Sequence, residues 1–208
     1  MGEVGVEKAL NDYAEYMREV KKRVHVIQRV LASYHAGDSL TGYRESDFEL
    51  CVLQLRKCLE LVMLASLVAH FHSGVELNRR LFENEWNATK IMAYLKRKNS
   101  QFFPIPLNKI DGIASEMSKM EAVVGALTVL EFGKLYDQTC GKCLHASRIR
   151  GSVSNHEKNF TDVKDWLLKF VKLTNSHWIH VTEDLVFAVL MQTDKDGDVA
   201  VSILKKVD

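Results

Sequence analysis

A long apolar stretch from Leu50 to Ala69 constrains this fold most, because it carries a charged pair, Arg56 and Glu60. On an α-helix these two side chains lie one turn apart on one face, and Glu49 lies on the same stripe. Almost every other direction around the helix is apolar, which is typical of a buried helix. We therefore predict the central helix of an α-helical bundle. Its expected core residues are Leu53, Leu59, Val62, Leu64 and Val68.

The N-terminal segment shows an equally clear helical period. Its apolar side chains recur at alternating intervals of three and four residues, and the residues between them are mostly charged. These apolar residues are Leu10, Tyr13, Met17, Val20, Val24, Ile27, Leu31 and Tyr34. The pattern predicts a helix from about Val6 to Tyr34 that packs on another helix of the same chain, most naturally the fourth.

Capping residues and helix-breaking residues indicate where the next two helices begin and end. Ser46 followed by Glu49 is a capping-box pattern, so the central helix is expected from about Ser46 to His72. Ser73 and Gly74 end it. A third helix is then predicted from about Val75 to Lys98.

Two prolines separate the third helix from the rest of the chain. Pro104 and Pro106 exclude helix near residues 99–107, and the aromatic residues beside them favour burial over a flexible linker. A fourth helix is predicted from about Asn108 to Cys140 and a fifth from about Thr161 to Leu173.

The C-terminal tail is rich in Val, Ile and Phe, which favour β-strands. The predicted strands are Trp178–Val181, Leu185–Gln192 and Val199–Val207, with a turn at Thr193–Asp198. The predicted fold is therefore mainly α. A five-helix up-and-down bundle occupies residues 1–175, and a small C-terminal antiparallel β-meander at 176–208 packs on it.

The overall charge gives no general attraction to nucleic acid or to membranes, because the net charge is +1. Local basic clusters such as Lys21–Arg23 are interpreted as solvated helix faces. The N-terminus lacks a signal pattern, and the apolar run Leu61–Ala69 is too short to cross a bilayer. We expect a cytoplasmic protein with no membrane partner and no small-molecule cofactor.

An arginine followed at short distance by a histidine is the pattern that small helical-bundle nucleases use. The histidine carries a proton and the arginine holds a phosphate. Arg150 and His156 fit, and they fall in the irregular segment where sites tend to lie. Two further pairs show similar spacing. They are Arg29 with His35 and Arg18 with His25.

Cys140, Cys143 and His145 leave three interpretations open. They are unpaired thiols at a helix end, half of a zinc site, or a redox pair. A structural zinc site normally has a second ligand pair at similar spacing, and a redox pair normally follows a βαβ unit. We therefore assign no metal site. The loop that holds His145 and Arg148 is instead expected to contact Arg56 and Glu60 and to form a binding site with them.

Several stretches resemble a bacterial family of helical proteins without an assigned activity. They are residues 55–67, 86–106 and 140–146, together with the strand-rich tail. The helical part is also similar to the HEPN superfamily, whose members often act in prokaryotic toxins and phage defence. That resemblance implies a bundle of four or five helices, dimerisation, and either RNA cleavage or non-catalytic binding. The chain departs from the HEPN nuclease pattern where Gly follows Arg150.

The resemblance leads to a HEPN-like interaction or RNA-binding module in a prokaryotic defence or stress system, without catalysis. The alternative is a metal-independent, toxin-like endoribonuclease that uses Arg150 and His156. A zinc-stabilised scaffold is a more distant third. We also expect a homodimer formed through Val6–Tyr16, in which Tyr13 and Met17 meet apolar partners of the second chain.

Overall fold

The computed structural model describes residues 3–107, 123–144, 155–193 and 197–205. These residues form six helices and one antiparallel sheet of four strands. The helices are α1 Glu3–His35, α2 Arg44–His72, α3 Arg79–Asn84, α4 Ala88–Lys98, α5 and α6 His156–Thr174. Helix α5 runs as α-helix Val129–Lys134, π-helix Leu135–Cys140 and a last turn Gly141–Cys143. The strands are β1 Ile105–Pro106, β2 Ser176–His180, β3 Leu185–Leu190 and β4 Ala200–Lys205.

The mainly α fold with a C-terminal antiparallel meander is confirmed, although the described residues form six helices instead of five. None of the helices in these ranges combines the length and apolar character that a bilayer span requires.

Helix α1 buries much of the predicted seam, and its main partner among the described residues is α2. Met17, Val20 and Ile27 are fully buried. The seam packs along α2, whereas residues 108–122 of the predicted fourth helix lie outside the described ranges. Helices α1 and α2 also approach closely where the start of α1 meets the end of α2. A Cβ added to Gly5 there would lie 2.6 Å from the carbonyl oxygen of His72.

Two side chains assigned to the predicted dimer contact, Tyr13 and Met17, were misplaced. Tyr13 and Met17 are fully buried within one chain. The Tyr13 ring meets Phe187 edge to face, and its hydroxyl lies 2.8 Å from Nε2 of His177. These side chains already pack inside this chain, so they offer no apolar surface to a second one. A homodimer through the rest of Val6–Tyr16 stays a prediction.

Helix α2 is central, as predicted, but its start and one core residue differ. Its N-cap is Tyr43 and not Ser46. The buried carboxylate of Asp47 accepts hydrogen bonds from the preceding loop, which fixes this start. Leu59, Val62 and Val68 are buried, and Leu64 is half-buried. Leu53 is 40% exposed, so its assignment to the core was wrong.

The predicted third helix is wrong as a single element. Asn78 and Asn87 interrupt it, because each caps a separate helix through its side-chain oxygen. Asn78 accepts from the backbone N–H of Leu81, and Asn87 from that of Lys90. Asparagine is among the best N-cap residues, since this bond satisfies a backbone donor that the first turn leaves unpaired.

The predicted fourth helix is helical in the described structure only from Val129 to Cys140, and residues 123–128 are not helical. Its residues 108–122 lie outside the described ranges. Helix α5 begins only at Val129, where Thr128 and Glu131 form a capping box. Gly125 precedes it with a φ of 77°, a left-handed conformation that glycine adopts readily and that is not helical.

The sheet has the strand order β1-β2-β3-β4. Strands β2, β3 and β4 form the predicted meander, with Phe187 opposite both Ile179 and Ile203. The proline-containing segment adds β1, in which Ile105 lies opposite Trp178. One face of the sheet joins the same hydrophobic core as α1 and α2. The sheet therefore takes one strand from the part of the chain that we assigned to the helical bundle.

Candidate functional site

A cleft of about 700 Å³ lies between α1, the C-terminal end of α6 and the turn that joins β3 to β4. Four side chains that carry or can gain positive charge line its α1 wall: Arg18, Lys21, Lys22 and His25. They follow one another at intervals that place them on one side of the helix. Asp198 is the single carboxylate among the described residues of the lining. The cleft is therefore a basic site.

Arg18 lies at the mouth of the cleft, between two carboxylates. Its Nε is 3.1 Å from each carboxylate oxygen of Asp198, and its Nη2 is 3.0 Å from Oδ2. Its Nη1 donates to Glu15 at 2.7 Å. The hydrogen bonds from Arg18 lower the pKa of Asp198, and the bond to Asp198 raises the pKa of Arg18. Arg18 thus joins α1 to the turn between β3 and β4.

Lys21 fixes the same turn in a second way. Its Nζ donates to the carbonyl oxygen of Met191 at 3.2 Å and also to that of Gly197. The ends of the turn are paired as well, because Thr193 N–H donates to the Asp198 carbonyl at 2.9 Å. The turn predicted at Thr193–Asp198 is present at both described ends, whereas residues 194–196 lie outside the described ranges. Arg18 and Lys21 therefore attach the outer wall of the cleft to α1, and the Thr193–Asp198 bond closes the turn.

The remaining lining is apolar or neutral. Val24, Val171 and Met191 contribute apolar surface, and Gln28 and Asn175 contribute side-chain amides. A site of this kind attracts negative charge at its rim and packs a flat or apolar group against its wall. Lys22 and His25 are exposed there and within reach of a ligand.

Arg56 and Glu60 lie elsewhere, where α2 meets α5. Arg56 Nε is 3.4 Å from Glu60 Oε1, and the Tyr136 hydroxyl donates to the same oxygen at 3.0 Å. The Arg56 guanidinium lies over the Tyr136 ring, 4.1 Å from its centre. Lys57 Nζ lies 2.8 Å from the second oxygen of Glu60. Burial and the charge of Glu60 raise the pKa of Tyr136 to about 12.

This Arg56–Glu60 cluster joins α2 to the π-helical part of α5. Glu60 is buried, and no buried polar atom of the two side chains lacks a hydrogen-bond partner. Their described partners are Lys57 and Tyr136. Tyr136 comes just before the predicted 140–150 segment, and a Cβ at Gly141 would lie 3.8 Å from Arg56 Nη1. Satisfied groups of this kind fix a helix contact, and their predicted role in binding stays a prediction.

The other predicted site residues are only partly described. Outside the described residues lie His145, Arg148 and Arg150. His156 begins α6, and its Nε2 is 3.2 Å from Glu45 Oε1 at the start of α2. Fifteen residues of helix separate it from Val171 in the cleft, or about 22 Å. His156 therefore lies away from the cleft, and its pairing with Arg150 stays a prediction.

The two cysteines of α5 are free thiols, Cys140 buried and Cys143 half-buried. Burial raises the pKa of Cys140 to about 12, so this thiol stays protonated and is a poor nucleophile. Among the described residues no three His, Cys, Asp or Glu side chains cluster as metal ligands would. His145 is not among these residues, so the zinc alternative stays a prediction.

One wall of the cleft, the basic stripe of α1, could have been recognised from the sequence. Arg18, Lys21, Lys22 and His25 are spaced as one helical stripe, but we interpreted the lysines as solvated and the Arg18/His25 spacing as one of several similar pairs. The opposite wall could not be recognised, because Asp198 is 180 positions from Arg18.

Neither a protein-family model, nor a curated protein, nor a solved structure matches this chain. The HEPN resemblance therefore stays a prediction.

Proposed function

We propose that this protein is a non-catalytic interaction module that binds single-stranded RNA in the cleft between α1, α6 and the β3–β4 turn. The observation that carries the proposal is the basic stripe on the cleft wall, formed by Arg18, Lys21, Lys22 and His25. Phosphate contacts from such side chains supply most sequence-independent affinity for nucleic acids. The stripe extends about 10 Å along α1, which suits a few nucleotides.

The shape of the cleft favours a single strand over a duplex. It is bounded by α1, by α6 and by a turn that Arg18 and Lys21 hold in place. A flexible strand can place its phosphates on the rim and a base against Val24 and Met191, whereas a duplex keeps its bases stacked inside. The amide of Gln28 offers hydrogen bonds to a base edge.

The proposal agrees with the binding role that the HEPN resemblance implies. A place in a prokaryotic defence or stress system rests on that resemblance alone. The alternative, an endoribonuclease that uses Arg150 and His156, stays a prediction, because Arg150 lies outside the described residues. Incubating labelled RNA with the wild type and with a His156→Ala variant tests it separately, since only an enzyme would shorten the RNA.

Fluorescence anisotropy with a labelled oligouridylate tests the binding proposal. Lys22→Gln removes an exposed cation from the cleft. We expect it to weaken binding about three- to tenfold at low salt and to lower the slope of log K against log salt by about one.

Lys8→Gln is the matched control. Lys8 is also an exposed lysine of α1 and pairs with Asp12, about 21 Å along the helix from Lys22. It should leave both the affinity and the salt slope unchanged. Wild-type protein that shows no salt-dependent RNA binding, or equal losses in the two variants, would overturn the proposal.

A further inference from the structure

We infer that Asp198 competes with the RNA phosphate for Arg18, so that the ion pair between them restricts entry to the cleft. This inference rests on the proposed RNA binding. It assigns Arg18 as a phosphate contact and Asp198 as the group that a phosphate replaces. The affinity of the resting protein is then lower than its basic stripe alone would give.

The geometry of the pair supports a direct exchange. Asp198 accepts from Nε and Nη2 of Arg18, with N–O distances of 3.0 to 3.1 Å. This planar fork of donors binds carboxylate and phosphate oxygens in the same way. A phosphate that enters the cleft therefore needs the position that the Asp198 carboxylate occupies.

The exchange has a low cost, because the pair is open to solvent. The Arg18 side chain is 35% exposed and that of Asp198 is 50% exposed. Exposed ion pairs of this kind contribute little to stability. Asp198 is also the single carboxylate among the described lining residues, so its charge repels a phosphate on the side of the cleft opposite the lysines.

The turn has attachments besides the ion pair between Arg18 and the Asp198 carboxylate. Lys21 binds the carbonyls of Met191 and Gly197, and the Thr193 N–H binds the backbone carbonyl of residue 198. The Asp198 carboxylate also accepts from the Val199 backbone N–H, and the amide oxygen of an asparagine can accept the same bond. Asp198→Asn therefore changes the competition for Arg18 while the wall of the cleft stays in place, which an unchanged thermal melting curve would verify.

Glu15 provides a matched comparison. It also pairs with Arg18, through Nη1 at 2.7 Å, but it does not line the cleft. Glu15→Gln changes the net charge by the same amount as Asp198→Asn. We expect Asp198→Asn to tighten oligouridylate binding about two- to fivefold at low salt and Glu15→Gln to change it by less than about 1.5-fold.

A second comparison tests whether the effect passes through Arg18. In an Arg18→Gln background the gain from Asp198→Asn should be smaller, because no guanidinium is left to release and only the repulsion between Asp198 and the phosphate is removed. Equal gains from Asp198→Asn and Glu15→Gln, or an undiminished gain without Arg18, would overturn the competition and leave RNA binding intact. Wild-type protein without salt-dependent binding would instead refute the proposed function, and the competition with it.

Discussion

At the scale of single residues, two buried histidines hold neutral rings between fixed partners. Nδ1 of each ring donates to a backbone carbonyl, at 2.8 Å for His177 and 2.7 Å for His70. The other ring nitrogen therefore accepts, from the Tyr13 hydroxyl for His177 and from the Asn99 side-chain amide for His70. His177 thus connects α1 to β2, and His70 connects α2 to the end of α4. Burial lowers the pKa of both.

We predict that this arrangement makes the protein unstable in acid. Burial lowers the pKa of His177 to about 4, whereas an unfolded histidine titrates near about 6.5. Below about pH 6.5 the unfolded chain binds a proton that the folded chain binds only below about pH 4. The free energy of unfolding should therefore fall as pH decreases through this window, by roughly 3 kcal/mol from His177 alone.

Urea unfolding at about pH 7.5 and at about pH 4.5 measures this loss. A His177→Gln variant should lose less stability between the two pH values, because it has no proton to gain there. Exposed His25→Gln is the control and should keep the full loss, since His177 is still present. A His177→Gln variant with the same pH dependence as the wild type would contradict this explanation.

At the scale of elements, the spacing of apolar residues determined which helices and strands could be predicted from the sequence. The seam of α1 from Leu10 to Tyr34 forms one helix, and the tail forms the expected meander. The period did not reveal that Asn78 and Asn87 each begin a separate helix, because an asparagine N-cap can start a new helix while the apolar pattern continues. Neither did it show which side of α2 lacks a neighbour, so Leu53 was assigned to the core.

Helix α2 therefore offers a matched pair of substitutions. Leu59 is fully buried, so Leu59→Ala leaves a cavity and should lower the free energy of unfolding by about 2–5 kcal/mol. Leu53 is 40% exposed, so Leu53→Ala should cost less than about 1 kcal/mol. Chemical denaturation of both variants gives the two values. Similar losses at the two positions would show that the packing of α2 differs from the one described.

At the scale of the whole molecule, the cleft depends on contacts between distant parts of the chain. Arg18 and Lys21 are on the first helix, whereas Met191 and Asp198 flank the last turn. A helical period shows that the basic side chains share one face, but it does not show that this face lines a cleft. The Arg56–Glu60 cluster differs, because its two charged groups are neighbours on one helix and could be predicted to interact.

Photochemical crosslinking of the wild-type protein to a 4-thiouridine oligonucleotide tests the central claim most directly, because it locates the RNA without any substitution. Peptide mapping should find the crosslinked residues in three segments that line the cleft: 18–28 of α1, 171–175 at the end of α6, and 191–192 after β3. Excess unlabelled single strand should remove these crosslinks, and a duplex should compete less well. Crosslinks confined to the region of Glu45 and His156, with none in the cleft segments, would contradict the account.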